Sequence, residues 1–262
     1  MLLDDQVVIV SGIGPGLGSK LAIEAALNGA NIAISARTAA KLAEVEETIR
    51  KKEVPADILC VPTDITDRSQ CEALVDKTLD RFGRIDALIN CAYVIGNIEP
   101  VDHADLDDWR ATMDVNFFGT MNLTQVVIPT MKARRRGAIV FVNTQVTRVP
   151  QLGQAGYGAS KSALVSAAAH LANEMGQHGI RVNSMFPSYM WGEPVKAYLS
   201  ELAREQGTSV DTLKSEIEKT LPLRRMPSDI ECARAGVFLA SDSASAITGA
   251  CLDVNGGHYL PH

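Results

Sequence analysis

Tyr157 and Lys161 stand four residues apart, separated only by Gly158, Ala159 and Ser160. On a helix this spacing puts the phenol and the ammonium on one face, a turn apart. A free tyrosine has a pKa of about 10, so its phenolate is scarce at neutral pH. A fixed cation beside it favours the charged form and brings the hydroxyl into working range as a proton donor or acceptor. Both residue types are common and reach this spacing by chance. The pair takes its meaning from what surrounds it.

A second constellation lies near the N-terminus, where Ser11, Gly12, Gly14, Gly16, Gly18 and Ser19 follow a short apolar run. The GxGxxG register fails, because Leu17 and Ser19 occupy the positions where its last glycine would fall. A GxxxGxG register fits through Gly12, Gly16 and Gly18. Its physics is the same: glycines turn tightly, let backbone N–H groups approach a pyrophosphate, and aim a helix N-terminus at it. No Gly-Lys-Ser/Thr follows the loop, which excludes Walker-type phosphate binding. The second apolar run ends at Arg37, where a carboxylate would bind an adenosine 2′-hydroxyl. An arginine suits a 2′-phosphate better. NADP(H) is favoured, yet Pro15 supplies no second cation and NAD(H) stays open.

The elements that must position these residues alternate regularly. Short aliphatic runs at Val7–Val10, Asn31–Ser35, Ile58–Pro62, Ala87–Asn90, Ala138–Asn143, Arg181–Phe186 and Ala250–Val254 read as strands buried on both faces. Helical patterns fill Leu17–Asn28, Ala39–Lys52, Arg68–Phe82, Leu106–Met131, Tyr157–Gln177 and Asp229–Ala240. Gly29 and Gly179 sit where C-caps belong, and Asp67 where an N-cap does. The expected fold is α/β: one doubly wound, Rossmann-type parallel sheet of about seven strands over 1–262. The segment from Pro187 to Pro227 is irregular, aromatic at its start and then rich in Glu and Lys. It reads as a lid over the crevice at the strands' carboxyl ends.

Composition agrees with a soluble globular chain: 46% hydrophobic, 21% charged and a net charge of −6. No apolar run nears the ~20 residues that span a bilayer. The five scattered cysteines contain no Cys-x-x-Cys pair and read as reduced and mostly buried, in a cytoplasmic protein. His103, His170, His178, His258 and His262 have no ligand spacing with Cys, Asp or Glu, so no metal is expected. Arg134, Arg135 and Arg136 read as a helix C-terminus before Gly137, and no nucleic-acid or membrane partner is expected.

With these pieces in order the chain resembles the short-chain dehydrogenase/reductases, from Asp4 to about Gly257. The markers are Gly12, Gly16 and Gly18; Thr63, Asp64 and Ile65; Asn90, Cys91 and Ala92; Asn116; Thr144; Tyr157 and Lys161; and Ile247, Thr248 and Gly249 with Asn255, Gly256 and Gly257. The resemblance implies a catalytic set of Asn116, Thr144, Tyr157 and Lys161. Tyr157 would exchange a proton with the substrate oxygen. Lys161 would lower the phenol's pKa, a task of roughly 4 kcal/mol, and hold the nicotinamide ribose. Asn116 would support a water-linked relay to the lysine. The cofactor would lie against Gly12, Gly14, Pro15, Gly16, Leu17 and Gly18, with Arg37, Asp64 and Ile65 at the adenosine end and Asn90 and Ala92 along its ribose. Backbone around Pro187 and Met190 would meet the nicotinamide.

Several positions depart from the family pattern. Thr144 replaces the usual serine, keeping the hydroxyl on a bulkier, stiffer side chain. Tyr93 stands where glycine is common and either narrows the site's entrance or packs elsewhere. Pro187 is followed by Ser188 rather than glycine, and the hydroxyl expected near the nicotinamide carboxamide falls at Gly192. Tyr93, Thr144, Gln145, Tyr157 and Trp191 are the expected substrate contacts. The small residues Ala163, Ser166, Ala167, Ala168 and Ala169 pack either on the chain's own sheet or in the interface of the homotetramer that the resemblance implies.

The lid's Tyr189, Met190, Trp191, Val195, Tyr198, Leu199 and Leu202 favour a bulky apolar alcohol or ketone, alicyclic, aromatic or steroid-like. An acyl-carrier-protein thioester would call for a basic entrance, which Lys196, Arg204 and Lys214 do not clearly form. The leading reading is a hydride-transferring oxidoreductase acting on a small-molecule secondary alcohol or ketone. The rival is a nucleotide-binding scaffold or sensor of the same fold without turnover. A nucleotide-sugar epimerase would need a larger C-terminal region than this chain has.

Overall fold

The computed structural model describes residues 1–261, so His262 lies outside the described residues. Strands β1 (Val7–Ser11), β2 (Asn31–Ala36), β3 (Ile58–Pro62), β4 (Ala87–Asn90), β5 (Gly137–Val142), β6 (Ile180–Pro187) and β7 (Cys251–Val254) form one sheet in the order β3-β2-β1-β4-β5-β6-β7. Every pairing is parallel. Burial on both faces follows from the alternation of side chains along each strand. Val8 and Val10 enter one apolar cluster with Ile32, Ile34 and Val140, while Ile9 enters the opposite one with Ala33 and Phe141.

The helices are α1 (Leu17–Leu27), α2 (Ala39–Arg50), α3 (Arg68–Phe82), α4 (Leu106–Met113), α5 (Thr120–Arg134), α6 (Ala155–Met175), α7 (Glu193–Gln206), α8 (Val210–Thr220) and α9 (Asp229–Ala240). Asp67 caps α3 as expected, its carboxylate accepting from Ser69 N. The helix predicted over Leu106–Met131 exists but is interrupted: Asp114–Gly119 winds as a π-turn between α4 and α5. The periodicity of apolar residues does not reveal such a turn, since it adds only one residue to the repeat. The three arginines end α5 as read. Arg134 meets Asp86 at 2.9 Å, Arg135 takes the left-handed cap conformation, and Arg136 meets Asp242 at 2.5 Å.

The irregular segment after β6 resolves into the helix pair α7 and α8. It carries its own apolar cluster: Leu199, Ala203, Leu213, Leu221 and Met226, with Tyr189, Trp191, Val195 and Leu202 packed on it. Chain order reverses between β1 and β4, the central pair from which the sheet extends outward on either side. A crevice at the carboxyl ends of these strands is the place such a sheet offers a ligand.

Candidate active site

A cleft of about 570 Å³ occupies that crevice. Gly12 opens its floor with φ +91°, and a Cβ there would stand 2.2 Å from Ala92 N. A Cβ on Gly18 would stand 2.1 Å from Gly12 O, so the loop folds on itself only with glycine at both positions. Gly14 instead has nothing within 4 Å of its would-be Cβ and faces open space. Pro15 is exposed, and Leu17 is buried where α1 begins. The lid reaches this loop, with Pro194 Cγ 3.1 Å from where a Gly16 Cβ would be.

At the β2 end the cleft is lined by Arg37, Thr38, Lys41, Asp64 and Ile65. Lys41 is a second cation that the sequence reading did not assign. Its signal was its place in the first turn of α2, four residues after Arg37. Its Nζ meets Glu44 at 3.1 Å on the exposed face. Asp64 Oδ1 accepts from Thr66 N at 2.9 Å and Thr66 Oγ1 at 2.7 Å, which fixes the turn after β3.

Three strand spacings away, roughly 14 Å along the sheet edge, Thr144, Tyr157 and Lys161 line the other end. Helix α6 presents Tyr157 and Lys161 on one face, as their spacing requires. Lys161 is 2% exposed, and its Nζ donates to Val142 O at 2.9 Å. Burial brings the ammonium down to about 8, opposed by Cys91. Burial also pushes the Tyr157 phenol above its usual range, the Tyr93 phenol adds to this, and a hydrogen bond with Thr144 opposes it. Desolvation is the largest influence on the phenol.

Thr144 follows β5 in extended conformation, and its Oγ1 also accepts from Val146 N at 3.3 Å. Tyr93 stands at the mouth, 47% exposed, its ring 6.1 Å from that of Tyr157 and 6.0 Å from Lys161 Nζ. Of its two open placements, the entrance is the one adopted.

Asn116 sits in the π-turn and is fully buried. Its Oδ1 accepts from Val94 N at 2.8 Å, and its Nδ2 donates to Val94 O at 2.8 Å and Ser160 Oγ at 3.0 Å. Ser160 Oγ donates in turn to Tyr157 O at 2.8 Å. The amide thus ties the segment after β4 to the helix that bears the tyrosine.

Some expected contacts lie behind the cleft wall. Ala92 lines it, but Asn90 turns away and donates to Thr124 Oγ1 at 3.1 Å, joining β4 to α5. Pro187 and Met190 line the cleft, whereas Trp191 packs into the lid's own core, with Lys214 and Lys196 at 5.0 and 5.7 Å from its ring. Its aromatic bulk was a core signal. Gln145 is 3% exposed and packs beside Thr144 rather than on the cleft surface. A Cβ on Gly192 would meet Asp229 Oδ2 at 2.8 Å, so the carboxylate of α9's first turn occupies the space of the missing hydroxyl. No group of three or more His, Cys, Asp or Glu able to hold a metal occurs among the described residues.

Comparison with known proteins gives this arrangement a family. The short chain dehydrogenase family matches residues 6–202, and the chain belongs to it. It is 32% identical to the 3-oxoacyl-(acyl-carrier-protein) reductase of Thermotoga maritima, over 98% of this chain and 99% of that one. The oxidoreductase UcpA of Escherichia coli O157:H7 is likewise 32% identical, over 99% of this chain and 96% of that one. Among solved structures, levodione reductase superposes with a TM-score of 0.91 at 27% identity, covering 97% and 98% of the two chains. NAD+-bound xylitol dehydrogenase gives 0.90 at 25% identity, covering 98% and 100%.

Proposed function

We propose that this chain is a nicotinamide-dependent oxidoreductase interconverting a secondary alcohol and a ketone, with Tyr157 as the acid/base. The observation that carries this is that Thr144, Tyr157 and Lys161 line one end of a cleft whose other end holds two cations. The open space at Gly14 and the glycine-only turn fit a dinucleotide's phosphates. Arg37 and Lys41 suit a 2′-phosphate, which favours NADP(H) over NAD(H). When bound, the cofactor supplies or accepts the hydride.

The protein's own groups do the rest. Thr144 donates a hydrogen bond to the carbonyl oxygen and fixes it against Tyr157. As hydride reaches the carbonyl carbon and charge grows on the oxygen, the Tyr157 O–H transfers its proton there. Lys161, still mostly protonated at neutral pH with its pKa at about 8, stabilises the phenolate left behind. A phenol raised by burial holds its proton at neutral pH, which suits reduction; oxidation needs the phenolate and should quicken as pH rises.

The substrate end is apolar, lined by Tyr93, Val94, Ile95, Met190 and Val195. This supports a bulky apolar small molecule. A carrier-protein substrate is disfavoured because carboxylates outnumber cations along α7 and α8, so the lid presents no positive face. The outward residues of α6, Ser166 and Ala169, leave a small-residue face suited to a second copy in a tetramer, while Ala168 packs on the sheet. A cytoplasmic enzyme is consistent with this reading; no described helix is long and apolar enough to cross a membrane.

Replacing Tyr157 with Phe tests the assignment against a scaffold without turnover. Rates at 340 nm over a ketone panel should fall about 10²–10⁴-fold, with the cofactor dissociation constant kept within about twofold. Unchanged rates, or no wild-type turnover with any alcohol or ketone, sink it.

A further inference from the structure

Resting on the oxidoreductase reading, we infer that Asp229 is a cofactor-binding residue whose carboxylate accepts an N–H of the nicotinamide carboxamide. Two carboxylates line the cleft, Asp64 and Asp229. Asp64 is engaged by Thr66 at the adenosine end. Asp229 is the first residue of α9, whose Cys232, Ala233 and Val237 share an apolar cluster with Leu17 and Leu21 of α1 and Val140 of β5. It lines the cleft together with Pro187, Met190 and Gly192, where the lid begins. The lid is pinned there, since Trp191 N donates to Pro227 O at 2.8 Å and Trp191 forms a parallel bridge with Ser228.

An acid at this position also favours the helix itself, by meeting the partial positive charge of its N-terminus. Here that task is already filled. Ser228 Oγ accepts from Glu231 N at 3.2 Å, and the Glu231 carboxylate accepts from Ser228 N at 2.9 Å, a complete capping box. Arg225 pairs with Glu231 at 2.6 Å, not with Asp229. No donor among the described residues bonds to the Asp229 carboxylate, although the residue is only 7% exposed. A carboxylate so buried calls for a donor. Gly192 keeps the approach open: Asp229 Oδ2 stands 2.8 Å from where its Cβ would be. Among the parts of a dinucleotide, the phosphates repel a carboxylate, the adenosine is drawn to Arg37 and Lys41, and the nicotinamide ribose to Lys161. The carboxamide amino group is the donor left for Asp229.

The test measures binding by calorimetry without substrate, so turnover does not enter. Three probes are titrated into the wild-type chain, Asp229→Ala and Asp229→Asn: the tighter-bound of NADP+ and NAD+, its 3-acetylpyridine analogue, and the matching adenosine diphosphoribose. The analogue keeps the carbonyl oxygen but carries a methyl in place of the amino group. The diphosphoribose lacks the nicotinamide but keeps its ribose. The wild type should prefer the natural cofactor to the analogue about tenfold, as loss of a hydrogen bond to a charged group implies. Asp229→Ala should bring that ratio to within about twofold, and Asp229→Asn, whose amide oxygen still accepts, should retain part of it. Affinity for the diphosphoribose should stay within about twofold in both variants, which also reports that they are folded. No wild-type preference for the carboxamide, or a ratio unchanged in Asp229→Ala, overturns the assignment. Equal weakening of all three probes in both variants does so too, and makes Asp229 a support for α9 alone. Failure of the wild-type chain to bind either dinucleotide overturns the oxidoreductase reading itself.

Discussion

The two ends of the cleft use the same charge in opposite surroundings. Arg37 and Lys41 stand in water at the end of β2, while Lys161 lies 2% exposed behind the end of β5. An exposed cation attracts an anion through a screened field. A buried cation has lost its hydration, so its proton becomes negotiable and its field acts at short range. The first arrangement suits holding a ligand. The second suits chemistry, and the fold bears its cost.

Removing the buried charge should break the comparison most visibly. In Lys161→Met, turnover should drop about 10²–10⁴-fold. Stability should move the other way. The lysine titrates near 10.5 when unfolded and at about 8 when folded, so between these values the unfolded chain binds more protons and stability rises with pH. Below pH 8 the full penalty applies, roughly 3 kcal/mol by the gap between the two values. A methionine at this position carries no such penalty. The variant should therefore outlast the wild type in urea at pH 7, with the difference shrinking towards pH 10.5. A variant less stable than wild type at pH 7 would show that the Val142 O contact outweighs desolvation.

The exposed end should respond in binding alone. Arg37→Ala and Lys41→Ala should each weaken NADP(H) about tenfold, as loss of a charge-assisted contact implies, and leave NAD(H) within about twofold. Raising the salt concentration should weaken wild-type NADP(H) binding and narrow this gap. Calorimetric titration of both cofactors measures it. Equal losses for NAD(H) would mean these cations shape the loop rather than read a 2′-phosphate.

This contrast also decides what the sequence could reveal. The sheet, its order of strands and helices, and the glycine loop were legible because backbone geometry demands particular residues: Gly12 and Gly18 have no room for a Cβ. Tyr157 and Lys161 were legible because helical spacing fixes their shared face. The upward shift of the tyrosine's pKa was not, since it comes from burial in the folded chain and then from Tyr93 and Cys91, which arrive from the end of another strand. Trp191 misled for a related reason. An aromatic in a lid looks like a substrate contact until α7 and α8 are seen to need a core of their own. The hydrogen bond between Ser188 and His258 depends on a distance across the fold that no local pattern encodes.

The smallest expected effect concerns the atypical hydroxyl. Thr144 bonds Tyr157 through Oγ1, an atom serine also has, and the methyl group only restricts its rotation. Thr144→Ser should hold kcat within about threefold, because the hydroxyl must now be ordered without the methyl's help. Thr144→Val keeps the shape and removes the bond, and its rate should fall by about 10²-fold, as for loss of one donor to a developing oxyanion. It should also raise the apparent pKa for alcohol oxidation, since this bond is what opposes burial at the phenol. Full pH–rate profiles of both variants measure the two shifts. Matching rates in the two would assign Thr144 to packing and leave Tyr157 to bind the carbonyl alone.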